Sequence, residues 1–283
     1  MPDRAHNLKK LDRLLESSHR TAVDSPNPLI RRREIAEQLV SLLAPDSFAA
    51  DQYRALRLAV ERCRKESGLQ VLAMSSPTPG DGKTITTLNL AGALAQNPDS
   101  RVLVVDADLR RPSVAKYLGF DLEASAGLAD VLVDPACSLR HVVRRLDGFN
   151  LSVVPAGTPQ PAPYELLNSP RLEELLREAR DLYDFVLVDT PPLVPLPDCR
   201  LIGKWVDGFL VVVGAHKTPR RLLADALQLV DPAKVIGVVF NGDDRPKFGY
   251  GYYDYYHTPR NRQRSAWRRW FGSAKTLRPR PRE

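Results

Sequence analysis

Cysteine is scarce in this chain. The three present, Cys63, Cys137 and Cys199, lie too far apart to read as a zinc site or a disulfide framework. That usage agrees with a reducing cytosol. Long apolar runs are also missing. The densest, Phe209 to Val213, has the length of a strand, far short of the roughly 18 residues that a membrane span requires. No apolar h-region of a signal peptide opens the chain, so a cytoplasmic protein is expected. No internal repeat is visible, and the first glycine usual in phosphate-binding loops is absent, with Pro77 in its place.

What is present suits a folded domain. A hydrophobic content of 43% supports a sizeable core. The length of 283 residues fits one α/β domain of roughly 200 residues plus extensions. The net charge of +7 is concentrated at one end: residues 257–283 hold nine Lys or Arg against one acid, so the remainder is close to neutral.

Three regions follow from the pattern. Residues 1–45 are polar and mixed, with Leu8, Leu11, Leu14 and Leu15 at helical spacing, and read as a partly helical extension or a partner-docking helix. Residues 46–248 alternate short apolar strands with amphipathic helices. The strand candidates are Gln70–Met74, Val102–Val105, Leu151–Val154, Phe185–Val188, Gly208–Val213 and Val235–Phe240. The helix candidates include Thr84–Gln96, Pro112–Leu118, Pro170–Leu182 and Pro219–Val230, three of them opened by proline, whose missing N–H costs nothing there. Such alternation implies an α/β fold with a mostly parallel sheet and helices on both faces. Ligands of such sheets bind beyond the carboxyl ends of the strands. Residues 249–283 lose periodicity and read as a flexible tyrosine-rich and basic tail.

Three motifs stand at strand ends. Pro77-Thr78-Pro79-Gly80-Asp81-Gly82-Lys83-Thr84 reads as a Walker A loop. Its glycines let backbone N–H groups close on phosphate oxygens, and the following helix N-terminus favours an anion. Pro79, Gly80, Asp81, Gly82, Lys83, Thr84 and Ile85 are therefore the expected nucleotide-binding stretch. Lys83 is placed to serve the β- and γ-phosphates and Thr84 to offer its hydroxyl to Mg²⁺. Asp189 ends the apolar run from Phe185 and is the expected outer partner of that Mg²⁺. Asp106 and Asp108 lie two apart, so a strand period of two turns both carboxylates the same way. One of them can hold metal while the other accepts a proton from a phenol, whose pKa is near about 10. Read singly, each motif is also compatible with a Gly/Pro turn or with aspartates that cap turns.

Together these residues resemble the bacterial tyrosine kinases of capsule and exopolysaccharide synthesis, the BY-kinases, which share the P-loop fold of MinD/ParA-like ATPases. The resemblance rests on Gly80 to Thr84, on Asp106, Asp108 and Arg110 followed by Arg111-Pro112, and on Asp189 to Pro192. It extends to Gly127 to Leu132 and to Pro161 to Leu167, where Ala162 replaces an Asn, and covers about residues 50–256. It implies ATP and Mg²⁺ as cofactors, catalytic roles for Lys83, Asp106 and Asp108, and metal ligation by Thr84, Asp106 and Asp189. Arg110 and Asn241 join the nucleotide contacts, Asn241 toward adenine. Asp51, Arg54 and Arg57 resemble the family's Glu-x-x-Arg-x-x-Arg assembly motif with a shorter acid, which implies a homo-oligomeric ring. Gly214 replaces an Arg common in the family, and Thr78 stands where MinD and ParA proteins carry a signature Lys.

The implied activity is protein-tyrosine autophosphorylation that regulates polysaccharide polymerisation or export. The separate-chain type implies a transmembrane chain-length regulator as activator, a cognate tyrosine phosphatase, and a location at the inner face of the plasma membrane. The alternative is a MinD/ParA-like ATPase, or a nucleotide-dependent scaffold without kinase activity. Tyr250, Tyr252, Tyr253, Tyr255 and Tyr256, five of the nine tyrosines, are the expected phosphoacceptors; a sticky low-complexity tail is the plainer reading. Residues 260–283 mix arginine with Trp267, Trp270 and Phe271. An anionic membrane surface and a merely solvated tail explain them equally well, and nucleic acid is the least favoured partner.

Overall fold

The computed structural model describes residues 35–119 and 126–243. The leucine-spaced stretch before Pro26, the five clustered tyrosines and the basic end lie outside the described residues.

The strands are β1 (Val71–Ser75), β2 (Val102–Asp106), β3 (Arg144–Arg145), β4 (Leu151–Val154), β5 (Phe185–Asp189), β6 (Gly208–Gly214) and β7 (Val235–Asn241). They form one sheet in the order β3-β4-β2-β5-β1-β6-β7. Every neighbouring pair is parallel except β3 with β4. The six strands expected from the sequence all form, each within one residue of its expected ends. Two-residue β3 was not expected, because so short a segment carries no periodic signal.

All residues of β1, β2, β4, β5 and β6 are buried, which is why these segments read as continuous apolar runs and not as alternating ones. Alternate side chains feed two apolar layers. Ala73, Val105, Val188 and Val211 enter one, with Leu172, Leu175 and Leu176 of the helix Pro170–Leu182. Leu72, Val104, Leu187 and Val212 enter the other, with Leu88, Leu90 and Leu94 of the helix Lys83–Leu94. Helices thus cover both faces.

The longest helix, Phe48–Ser67, was not singled out in the sequence. It buries only Ala50 and Val60 and exposes a largely charged surface, so its apolar stripe is too thin to register. Its ends are chemically marked: the Ser47 hydroxyl accepts the Ala50 N–H at 3.2 Å, and Gly68 closes it in the left-handed conformation at φ 71°.

The packed body begins ahead of the boundary drawn at residues 45 and 46. Ile35, Leu39 and Leu42 are buried in the second layer. One buried amide fastens this segment. Asn89 Oδ1 accepts the Ser41 N–H at 2.9 Å, and its Nδ2 donates to Gln38 O at 3.0 Å and Ile85 O at 2.9 Å. Asn89→Ala leaves a buried N–H and a carbonyl without partners and is expected to cost about 3 kcal/mol. Urea unfolding measures it; a loss below about 1 kcal/mol would show that residues 35–44 are not part of the cooperative unit.

Candidate active site

β1, β2, β5, β6 and β7 all deliver chemistry at their carboxyl ends, on one rim of the sheet. β1 runs into the loop 76–82, and the helix Lys83–Leu94 leaves from it. Gly80 and Gly82 hold φ of +80° and +90°, a region that strains any side chain. A Cβ on Gly82 would also run into the Asn241 amide, and one on Gly80 would approach Lys217 Nζ to 2.8 Å. Glycine at both places lets the loop close upon itself with its N–H groups free to face an anion.

Asp81 faces away from that cavity. Its carboxylate accepts the Thr78 N–H at 2.9 Å and the Thr218 hydroxyl at 2.6 Å, and it is almost fully buried. Its contribution to a phosphate site is the shape of the loop. Lys217 Nζ donates to Gly80 O at 2.8 Å, and Asn241 Nδ2 donates to Asp81 O at 3.0 Å. The ends of β6 and β7 therefore belt the loop from behind. Gly214 makes room for this: a Cβ there would meet Asp81 Oδ1 at 3.1 Å and Lys217 Cβ at 3.4 Å. Lys217 and Thr218 were missed in the sequence because they belong to no phosphate motif and meet the loop only through the fold.

On the open side the three motifs converge. Asp106 and Asp189 are register partners on adjacent strands. Lys83 Nζ lies 3.0 Å from Asp108 Oδ2 and 3.5 Å from Asp189 Oδ2. The Thr84 hydroxyl donates to Asp189 Oδ2 at 2.6 Å and accepts from the Ser113 hydroxyl at 2.9 Å. Asp106 accepts the Val114, Ser113 and Asp108 N–H groups at 3.0, 3.1 and 3.2 Å. Ser113, too, was not foreseen. It matters because its hydroxyl touches Thr84 while its N–H holds Asp106.

Two carboxylates, both fully buried, on neighbouring strands oppose each other's ionisation. Burial, then the charge of Asp189, pushes Asp106 up to about 7 against the N–H of Val114 and the Lys83 ammonium. Burial also raises Asp189, against Lys83 and the Thr84 hydroxyl. Burial alone would lower Lys83, but the charges of Asp189, Asp108 and Asp106 outweigh it and hold the amine protonated well into alkaline pH. The site is thus rich in negative charge and suited to cations.

Among the described residues no three or more His, Cys, Asp or Glu form a metal cage. A nucleotide-borne Mg²⁺ takes only one or two protein ligands beside phosphates and water. The buried Thr84–Asp189 pair, with Asp106 beside it, supplies such a donor set.

Lys83, Thr84, Asp108 and Ser113, with Asp106 and Asp189 buried behind them, open on a cavity of about 520 Å³ also lined by Pro79, Gly80, Gly82, Ile85, Arg110, Arg111, Tyr117, Pro192, Pro195 and Leu196. Arg110 lies in its wall, and its guanidinium grips the buried carboxylate of Asp198 with two bonds, 2.5 and 3.1 Å. The structure therefore brings Lys83, Thr84, Asp106, Asp108 and Asp189 together. It sets Asp81 and Asn241 behind the loop and commits Arg110 to Asp198.

The family model described as an AAA domain matches residues 69–200. The chain is 33% identical over 226 residues to the tyrosine-protein kinase YwqD of Bacillus subtilis (strain 168), spanning 79% of this chain and 94% of that protein. This chain belongs to the bacterial tyrosine-protein kinases. The kinase domain of the Escherichia coli tyrosine kinase ETK superposes with a TM-score of 0.69 at 29% identity, covering 82% of this chain and 91% of that one. The succinoglycan biosynthesis transport protein ExoP of Rhizobium meliloti (strain 1021) is 32% identical over 237 residues, 82% of this chain but only 29% of ExoP. The kinase likeness and the mostly parallel P-loop fold both agree with the sequence reading.

Two other family-like stretches have structural jobs in this kinase. Asp130, in the Gly127–Leu132 stretch, accepts the Gly127 and Thr158 N–H groups at 2.7 and 3.1 Å, tying a helix start to a distant loop. Arg54 pairs with Asp51 at 2.6 Å and Arg57 with Glu61 at 2.7 Å along the helix Phe48–Ser67. Among the described residues no helix is long and apolar enough to cross a membrane.

Proposed function

We propose that this kinase transfers the γ-phosphoryl group of ATP to the clustered tyrosines Tyr250, Tyr252, Tyr253, Tyr255 and Tyr256 of another copy of itself, within a homo-oligomeric ring. The observation that carries the reading is the convergence of Lys83, Thr84, Asp106, Asp108 and Asp189 beside a glycine loop, with Lys83, Thr84 and Asp108 lining one cavity. In the transfer, the tyrosine Oη attacks the γ-phosphorus and an O–P bond forms. The bond from that phosphorus to the β,γ-bridging oxygen breaks, and its electron pair leaves with ADP. The phenolic proton passes to Asp106, whose pKa of about 7 suits a general base at neutral pH. Lys83 neutralises charge on the β- and γ-phosphates, Asp108 orients Lys83, Ile85 borders the nucleotide, and Asn241 braces the glycine loop from behind. Thr84 and Asp189 would hold Mg²⁺, which supplies charge neutralisation at the phosphates, and Asp106 is left to take the proton.

Names among the relatives support a role in polysaccharide polymerisation or export, as in ExoP. The partners that complete this reading are a transmembrane chain-length regulator as activator and a phosphatase that resets the tyrosines. An anionic membrane surface for residues 260–283 would place the kinase at the inner face of the plasma membrane. The test is mass analysis of the full chain after incubation with ATP and Mg²⁺, alone and with the cytoplasmic tail of a candidate membrane partner. Phosphate on Tyr250–Tyr256 is expected. ATP turnover with no phosphotyrosine in either condition would transfer the assignment to a MinD/ParA-like ATPase.

A further inference from the structure

Two consecutive arginines follow Asp108, and the structure treats them differently. Arg110 is spent on Asp198. Arg111 donates its backbone N–H to Asp108 Oδ1 at 3.0 Å and lines the same cavity, while its exposed guanidinium has no ion-pair or hydrogen-bond partner among the described residues. Pro192, Pro195 and Leu196 line the same cavity and give it an apolar wall. Asp198 lies two residues beyond Leu196, so the Arg110–Asp198 pair ties this wall to the arginine side. Proline's fixed φ stiffens the wall further.

We propose that Arg111 is a specificity residue that recognises a negative charge next to the acceptor tyrosine, so that the pocket mouth selects tyrosines flanked by an acid or by phosphotyrosine. This rests on the kinase reading above. A phenol ring suits the apolar wall, and the Arg111 guanidinium, unpaired among the described residues, suits a carboxylate or phosphate, which arginine binds with paired charge-assisted bonds. An extended peptide advances about 3.3 Å per residue, which keeps a neighbouring acid within an arginine's reach.

Charge complementarity then orders the clustered tyrosines. Asp254 stands between Tyr253 and Tyr255, so these two are modified first. Each phosphate adds about −1.5 to −2 charge and becomes the anion that presents its neighbour, Tyr252 or Tyr256. Tyr250, between Gly249 and Gly251, comes last.

The experiment uses the full chain with all five clustered tyrosines changed to Phe as enzyme, and peptides spanning 249–256 as substrates. One peptide keeps only Tyr255 beside Asp254; its twin carries Asp254→Asn. The expected kcat/KM ratio is about tenfold in favour of the acidic peptide, carried by KM. Arg111→Gln should bring the ratio close to one, and Arg111→Lys should restore part of it. A ratio near one in the parent, or a ratio that survives Arg111→Gln, overturns the proposal. So does an Arg111→Gln variant whose KM for ATP rises while the peptide ratio stands, since Arg111 would then serve the nucleotide. If the parent phosphorylates neither peptide, alone or with the cytoplasmic tail of the membrane partner, the tyrosine-kinase assignment itself fails, and that result is distinct from the others. A time course on the unaltered chain adds a second check: phosphate on Tyr250 before Tyr253 and Tyr255 contradicts the proposed order.

Discussion

Lys83→Met all but abolishes autophosphorylation, a loss of roughly 10²–10³-fold, while the fold survives. The size follows from the position of the ammonium. It lies 12% exposed between the carboxylates of Asp108 and Asp189, at the start of the helix that leaves the glycine loop. In so dry a place one positive charge aimed at a developing phosphoryl charge is worth about 3–4 kcal/mol of barrier, and methionine fills the volume without the charge. Survival of the fold is expected because the apolar stem keeps its packing and the sheet core does not depend on the amine. Phosphopeptide mass analysis with ATP and Mg²⁺ gives the activity and far-ultraviolet circular dichroism gives the fold. Retained phosphorylation in a folded variant would remove Lys83 from the mechanism.

Asp106→Asn is expected to lower kcat by about 10²–10⁴, the range for loss of a positioned general base. The same change carries a signature in stability that runs the other way. Asp106 titrates near 7 in the folded protein and near about 3.9 when unfolded. Between these values the folded state holds a proton that the unfolded state has released. Its contribution to stability is therefore full below about pH 4 and is lost as pH rises through 7. Asparagine does not ionise, so the stability of the variant relative to the parent should climb between pH 5 and pH 8, by up to a few kcal/mol. The backbone N–H bonds from Ser113, Val114 and Asp108, which an amide receives less well, shift the whole curve downward without changing its slope. In the parent, kcat/KM should rise with pH along an acid limb with its midpoint near 7, as the base ionises. Denaturant melts across pH and peptide kinetics read both effects. A flat stability difference from pH 5 to 8 would mean that Asp106 is ionised throughout and that its buried pairing with Asp189 is not strained.

The strands and the phosphate site were legible along the chain because each is local. A five-residue run such as Phe185–Asp189, buried on both faces, must be apolar throughout, and a loop that closes on phosphate must carry glycine where φ is positive, as Gly80 and Gly82 do. Proline at the first helical position likewise announced Pro170–Leu182 to the residue. The helix Phe48–Ser67 escaped because its packing needs only a few small apolar contacts, and the rest of its surface obeys solvent. Segment 35–44 looked like the polar extension before it. Its burial depends on Asn89, about fifty positions away, and no window along the chain joins the two.

Sequence by itself determined the fold class, the order of the three motifs and the residue types of the glycine loop, since backbone geometry imposes those requirements position by position. Tertiary structure alone decided which charges are spent and which are free. It set Asp106 against Asp189 in register across two strands, gave Arg110 to Asp198 and left Arg111 without a partner among the described residues. It also placed Lys217 and Thr218 behind the loop. The reason is physical: the energy of a charge depends on distance and burial, and both are properties of chain segments brought together from far apart in sequence.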